Sequence, residues 1–124
     1  MGKSLLLIID DQPMVRSVCR RYLGDDLFDF VEAGHGLEAL ELLKQNNGVR
    51  AIICDLGLPG MSGLEFCAKK NEINGFAEIP VIVLTGDRNP EAEKEGLRIG
   101  VKHWISKPFN KRQLTDSILT TLGI

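Results

Sequence analysis

Carboxylates stand where the apolar runs of this 124-residue chain end. Ala51 to Gly63 reads AIICDLGLPGMSG, so an uncharged, partly β-branched run delivers Asp55 into a loop of glycines and proline. Such a run suits a strand buried on both faces, as in a parallel sheet. Asp55 then lies at the strand's exit, the side on which open parallel sheets bind ligands. Taken alone, it could equally cap the following loop. Three more runs speak for a site. Ser4 to Ile9 (SLLLII) ends in Asp10 and Asp11, Pro80 to Leu84 (PVIVL) ends at Thr85, and the run around Trp104 and Ile105 ends at Ser106 and Lys107. If those strands are parallel neighbours, three carboxylates, a hydroxyl and an ammonium converge at one sheet edge. Three carboxylates together repel one another, so something positive must sit among them.

The rest of the chain must position those groups, and its composition sets the bounds. A length of 124 residues with 44% hydrophobic content fits one compact domain over residues 1–124. The net charge of −2 gives no general attraction to nucleic acid or anionic lipid. Cys19, Cys54 and Cys67 are odd in number and lie inside apolar patterns without CxxC spacing, which predicts reduced, packed thiols in a cytoplasmic protein. No apolar run approaches the roughly 18 residues of a membrane span, and the N-terminus lacks a signal-peptide layout.

Taken in order, strands and helices alternate. Pro13 opens a helix in which Val15, Val18, Cys19, Tyr22 and Leu23 recur at helical spacing until Gly24. Its other face carries Arg16, Arg20 and Arg21, a solvated face or a landing place for an acidic partner. Phe28 to Ala33 is a short second strand weakened by Glu32, and Gly36 to Asn46 a second helix ending at Asn-Asn-Gly. After the Asp55 strand, Pro59, Gly60 and Gly63 shape a tight loop and Ser62 caps a helix through Leu64, Cys67 and Ala68. Asn89 and Pro90 open a fourth helix with few apolar positions. Gly96 inside it costs about 1 kcal/mol relative to Ala, which predicts the least stable helix of the set. His103 to Ser106 forms the fifth strand and Asn110 to Leu122 the last helix. Five strands alternating with five helices give an α/β doubly wound parallel sheet with right-handed crossovers.

Asp10-Asp11 after the first strand, Asp55 after the third, Pro59 and Gly63 beyond it, Thr85 after the fourth and Lys107-Pro108-Phe109 after the fifth resemble a response-regulator receiver domain. The resemblance covers essentially the whole chain. It implies a flavodoxin-like five-stranded sheet of order 2-1-3-4-5. It also implies that Asp55 accepts a phosphoryl group from a histidine kinase or histidine phosphotransfer protein in a two-component phosphorelay. Mg²⁺ would be held by Asp11, Asp55 and the backbone carbonyl of Gly57, with Asp10 acting chiefly through water. Lys107 would pair with Asp55 or a phosphoryl oxygen, aimed inward by a cis Lys107-Pro108 bond. Thr85 would hydrogen-bond the phosphoryl group, and Trp104 matches the switch aromatic, usually Tyr or Phe.

Three positions depart from the pattern. Gly57 keeps the carbonyl but offers no side chain to shield an acyl phosphate, Gly86 leaves the approach open, and Gly96 replaces a frequent Ala. A haloacid-dehalogenase-type phosphatase would want a second acid where Gly57 stands. A flavodoxin-like nucleotide or flavin binder would want a phosphate-cradling loop where Asp10-Asp11-Gln12-Pro13 stands. The resemblance further implies an unknown downstream protein or output domain, no direct nucleic-acid or membrane contact, and a homodimer option through the fourth helix, fifth strand and fifth helix. The chain is then either a stand-alone receiver or part of a longer protein.

Overall fold

The computed structural model describes residues 2–124. Its strands are β1 (Ser4–Ile9), β2 (Phe28–Ala33), β3 (Val49–Asp55), β4 (Val81–Thr85) and β5 (Val101–Ser106). Between and after them run α1 (Pro13–Leu23), α2 (Gly36–Gln45), α3 (Gly63–Asn71), α4 (Pro90–Arg98) and α5 (Lys111–Leu122). All the strand pairs are parallel, and the order across the sheet is β2-β1-β3-β4-β5. This is the α/β flavodoxin-like arrangement that the sequence predicts.

Because strand side chains alternate between faces, each central strand feeds two cores. Leu7, Ile9, Ile52, Cys54, Val81 and Val83 pack toward Leu40, Leu43 and Phe66 of α2 and α3. Leu6, Ile8, Ile53, Ile82 and Leu84 pack toward Cys19 of α1 and Leu114 and Ile118 of α5. Each such aliphatic side chain contributes about 1.5–3 kcal/mol by leaving water. Burial pushes the Cys19 thiol up to about 12 and that of Cys67 up to about 11, and raises Cys54 as well, so all three stay protonated and inert at neutral pH.

The structure moves a few boundaries. β3 and β5 begin two residues before Ala51 and His103, each directly after a glycine of positive φ, Gly48 at 90° and Gly100 at 101°. Those turns, more than the apolar run, decide where pairing starts. β4 begins at Val81; Pro80 has no N–H to give the ladder, and its carbonyl accepts from Ile52 N instead, at 2.9 Å. Lys70, to which patterning assigns no role, is only 2% exposed. Its Nζ donates to the carbonyls of Phe76, Ala77 and Ile79 at 3.1, 3.1 and 2.9 Å and so folds the α3–β4 connection around itself.

The arginine face of α1 is also put to use. Arg16 and Arg20, one turn apart, both reach Glu32 of β2, at 2.9 and 2.7 Å. Glu32 therefore joins α1 to the sheet rather than weakening β2, and of the three arginines Arg21 alone remains for solvent among the described residues. Burial raises the Glu32 pKa, but the hydrogen bonds from Arg20 and Arg16 and their charges outweigh it and leave it below the ordinary value. A lowered folded-state value means stability that is present above the unfolded value and lost as pH falls through the folded one. Glu32→Gln should therefore cost about 1 kcal/mol near neutrality and nothing once the wild-type carboxylate is protonated. Urea unfolding of both proteins from pH 7 into acid checks this: the gap should narrow as pH falls below the unfolded carboxylate value, and a gap of constant size would assign the effect to packing.

Candidate functional site

Parallel pairing in this order puts the ends of β1, β3, β4 and β5 side by side. Asp10, Asp11 and Asp55 each bring a carboxylate oxygen to within 4.8 Å of the other two. Asp10 is 2% exposed, Asp55 half-buried and Asp11 open to solvent. Lys107 answers their charge: its Nζ lies 2.9 Å from Asp10 Oδ2 and 3.5 Å from Asp55 Oδ2. Asp10 is thus the nearer carboxylate, and Asp55, which the resemblance gives as the partner of Lys107 alongside a phosphoryl oxygen, is the second. Burial pulls the Lys107 pKa down, yet the hydrogen bond and charge of Asp10, followed by the charge of Asp55, hold it above the ordinary lysine value. The ammonium stays charged throughout the neutral range. The Lys107-Pro108 peptide is cis, as expected.

Asp10 and Asp55 have further hydrogen bonds. Asp10 Oδ1 accepts from Gln12 N at 2.9 Å, and Arg16 Nη1 donates to the Asp10 carbonyl at 2.6 Å. Arg16 therefore ties the acidic turn to α1 and, through Glu32, to β2; its spacing of one turn from Arg20 with Glu32 on the next strand was the available signal. Asp55 Oδ1 accepts from Gly57 N at a long 3.4 Å. Thr85 is 3% exposed, and its hydroxyl is engaged locally, accepting from Asp87 N at 3.1 Å and donating to Asp87 O at 3.2 Å. Its carbonyl accepts from Lys107 N at 2.7 Å, which fixes the β4 and β5 exits to each other. Arg88, unremarked in the sequence, bridges the β4–α4 loop to Ser106 Oγ at 3.0 Å and to Glu93 of α4.

Gly63 has a structural reason. It begins α3 directly against the end of β3, where its N–H donates to Leu56 O at 2.9 Å and a Cβ would stand 2.3 Å from the Asp55 carbonyl oxygen. The Ser62–Glu65 capping box holds that helix start in place. Trp104, paired in register with Val83 two residues before Thr85, is half-buried over Gly96 of α4 and packs at the margin of the α2–α3 core. Gly96 is thus in contact with the aromatic side chain, a role its helix-weakening reading does not include. Between the acids and α4 lies an open cleft of about 450 Å³, bounded by Asp55, Gly57, Thr85, Asn89 and Lys107.

This arrangement can collect positive charge at an all-oxygen site beside a half-buried carboxylate, with an ammonium fixed on one flank. The family model for the response regulator receiver domain matches residues 6–119. The chain belongs to that family, the phosphorelay receivers of two-component signalling. Among its relatives, chemotaxis protein CheY1 of Helicobacter pylori is 34% identical over 119 residues, covering 95% of this chain and 96% of that protein. The transcriptional regulatory protein SrrA of Staphylococcus aureus is 35% identical over 109 residues, 88% of this chain but 44% of the regulator. A solved structure of Vibrio cholerae chemotaxis protein CheY4 superposes with a TM-score of 0.90 at 28% identity, covering 98% of this chain and all of that one. No described helix is long and apolar enough to cross a membrane.

A methyl group on Gly63 would have to displace the Asp55 carbonyl. Gly63→Ala should therefore cost about 1–3 kcal/mol in urea unfolding. It should also shift the backbone amide resonances of residues 55–57 more than those of β1. An unchanged midpoint with unshifted amides would show that the loop absorbs the methyl freely.

Proposed function

We propose that the chain works as a single phosphoaccepting receiver, in which Asp55 takes a phosphoryl group from a histidine kinase or histidine phosphotransfer protein in the cytoplasm. The observation that carries this reading is the cluster of Asp10, Asp11 and Asp55 within 4.8 Å, with Lys107 Nζ reaching two of them. Asp55 is the acceptor because it alone faces both the cleft and Lys107 from the end of a central strand. The Asp55 carboxylate oxygen attacks phosphorus, the donor's nitrogen–phosphorus bond breaks, and the electron pair leaves with the imidazole.

The donor set fits a hard cation. Carboxylate oxygens of Asp11 and Asp55 with the Gly57 carbonyl, and Asp10 through water, suit Mg²⁺, which keeps several waters and phosphate oxygens of its own. When bound, it supplies the charge that offsets both the carboxylates and the phosphoryl oxygens. Lys107 orients Asp55 and meets a phosphoryl oxygen. Thr85 can do the same only by releasing Asp87, so its hydroxyl is the group that registers occupancy. That movement toward Asp55, transmitted to Trp104 and α4, biases the surface offered to a downstream partner. The chain turns over nothing beyond its own phosphorylation and dephosphorylation, and with no side chain at Gly57 or Gly86 the acyl phosphate stays open to water.

A small phosphodonor with Mg²⁺ should raise the intact mass by one phosphoryl group, and Asp55→Asn should abolish the gain. Full labelling of Asp55→Asn would remove Asp55 from the role.

Without a cation the three acids strain the fold, and a ligand of the native state stabilises it by mass action. Millimolar Mg²⁺ should raise the wild-type melting temperature by about 2–6 °C and leave Asp11→Ala unmoved. Equal responses would take Asp11 out of the cation site.

A further inference from the structure

Gly96, where the receiver pattern often has Ala, touches Trp104, where it usually has Tyr or Phe. Gly96 is the one buried residue of α4, and a Cβ built on it would stand 2.6 Å from Trp104 Cζ3 and 3.4 Å from both Trp104 Cε3 and Val101 Cγ2. Real side chains do not approach so closely, and the rigid indole cannot yield as the tip of a flexible chain would. The indole can therefore occupy its present place only because α4 carries no methyl there.

The seat is good in shape and poor in hydrogen bonding. Trp104 Nε1 is buried, and no protein group among the described residues accepts from it. Packing favours the seated ring, and the orphan N–H favours a ring turned out to where water can accept from it. Beside the ring lies a cavity of about 70 Å³ bounded by Glu93, Leu97 and Val101, room for about two waters and not for a bicyclic side chain. The indole cannot turn into it unless α4 moves away from β5.

We propose that Gly96 and Trp104 are a size-matched pair that packs the indole and α4 into one unit. The missing methyl of α4 accommodates the extra ring of Trp, so the helix holds the ring and the ring holds the helix. A lone substitution at either position then disturbs both, and the two substitutions together restore the contact. The seat itself does not depend on Asp55; its use in signalling rests on the phosphoacceptor reading above.

Four proteins test the pair: wild type, Gly96→Ala, Trp104→Phe and the double variant. Each is read by urea unfolding and by amide hydrogen exchange across residues 90–99, and the two that keep Trp104 also by iodide quenching. With Trp104 present, Gly96→Ala should lower the folding equilibrium constant about tenfold or more, speed exchange in 90–99 and expose the indole to iodide. In the Trp104→Phe background the same substitution should stabilise the protein and slow that exchange, because the smaller ring leaves room for the methyl and Ala is the better helix former. Should Gly96→Ala fail to fold with Trp104 present, the comparison within the Phe background still decides: a destabilising Ala there overturns the pair. Equal effects of Gly96→Ala in both backgrounds overturn it too.

A second arm adds beryllium fluoride and Mg²⁺ to the wild type. Iodide quenching and exchange in 90–99 should change together over one concentration range, and in Gly96→Ala, where the ring starts released, the change in quenching should be less than half as large. A quenching change with no change in α4 exchange would uncouple the two and refute the single unit. If neither responds and no fluoride binds, the phosphoacceptor reading falls, while the background comparison still judges the pair.

Discussion

Repulsion among three carboxylates is the constraint around which the sheet edge is built. Asp10 and Asp11 come from the end of β1 and Asp55 from the end of β3, and no local sequence preference would bring them within 4.8 Å. What holds them is the parallel ladder, whose register puts Ile9 beside Cys54, together with the ammonium of Lys107 from β5. The hydrophobic cores on both faces of the sheet supply the stability needed to keep like charges close. At this edge the fold works against itself, and a cation bound there would relieve the repulsion.

The groups flanking the acids are held in different ways. Lys107 is fixed by its bond to Asp10 and by the backbone bond between its N–H and Thr85, so it belongs to the rigid part of the edge. Thr85 spends its hydroxyl on Asp87 two residues on, a local bond that a better acceptor could replace. Arg88 reaches outward to Ser106 and Glu93 and so ties the same loop to both β5 and α4. A rigid charge next to an exchangeable hydroxyl on a tethered loop is a sensible division between chemistry and response.

Much of this was legible in the sequence, for definite reasons. The strands are buried on both faces, so SLLLII and PVIVL read as uninterrupted apolar runs, and the residue that ends each run is the residue that enters the site. Glycine and proline gave the loop positions. What could not be read were contacts that depend on which elements become neighbours. Glu32 looked like a flaw in β2 because its arginine partners sit a helix away, and Lys107 lies nearer Asp10 than Asp55 because strand register, not chain order, sets that distance. Gly96 read as a helix-weakening residue for the same reason, since Trp104 lies eight positions on and meets it only across the α4–β5 packing.

The buried Lys70 gives the molecule a second place where oxygens gather around a positive charge. Three main-chain carbonyls enclose its ammonium where α3 turns into β4, at the opposite end of the sheet from the acids. This cation is on a leash: it cannot wash out, compete with others in solution or be withdrawn by a chelator, so the corner it organises is indifferent to the ionic surroundings. The acidic cluster offers the exposed carboxylate of Asp11 and the half-buried one of Asp55 to whatever the solvent supplies. One end of the protein carries its cation permanently, and the other, on the receiver reading proposed above, takes one from solution.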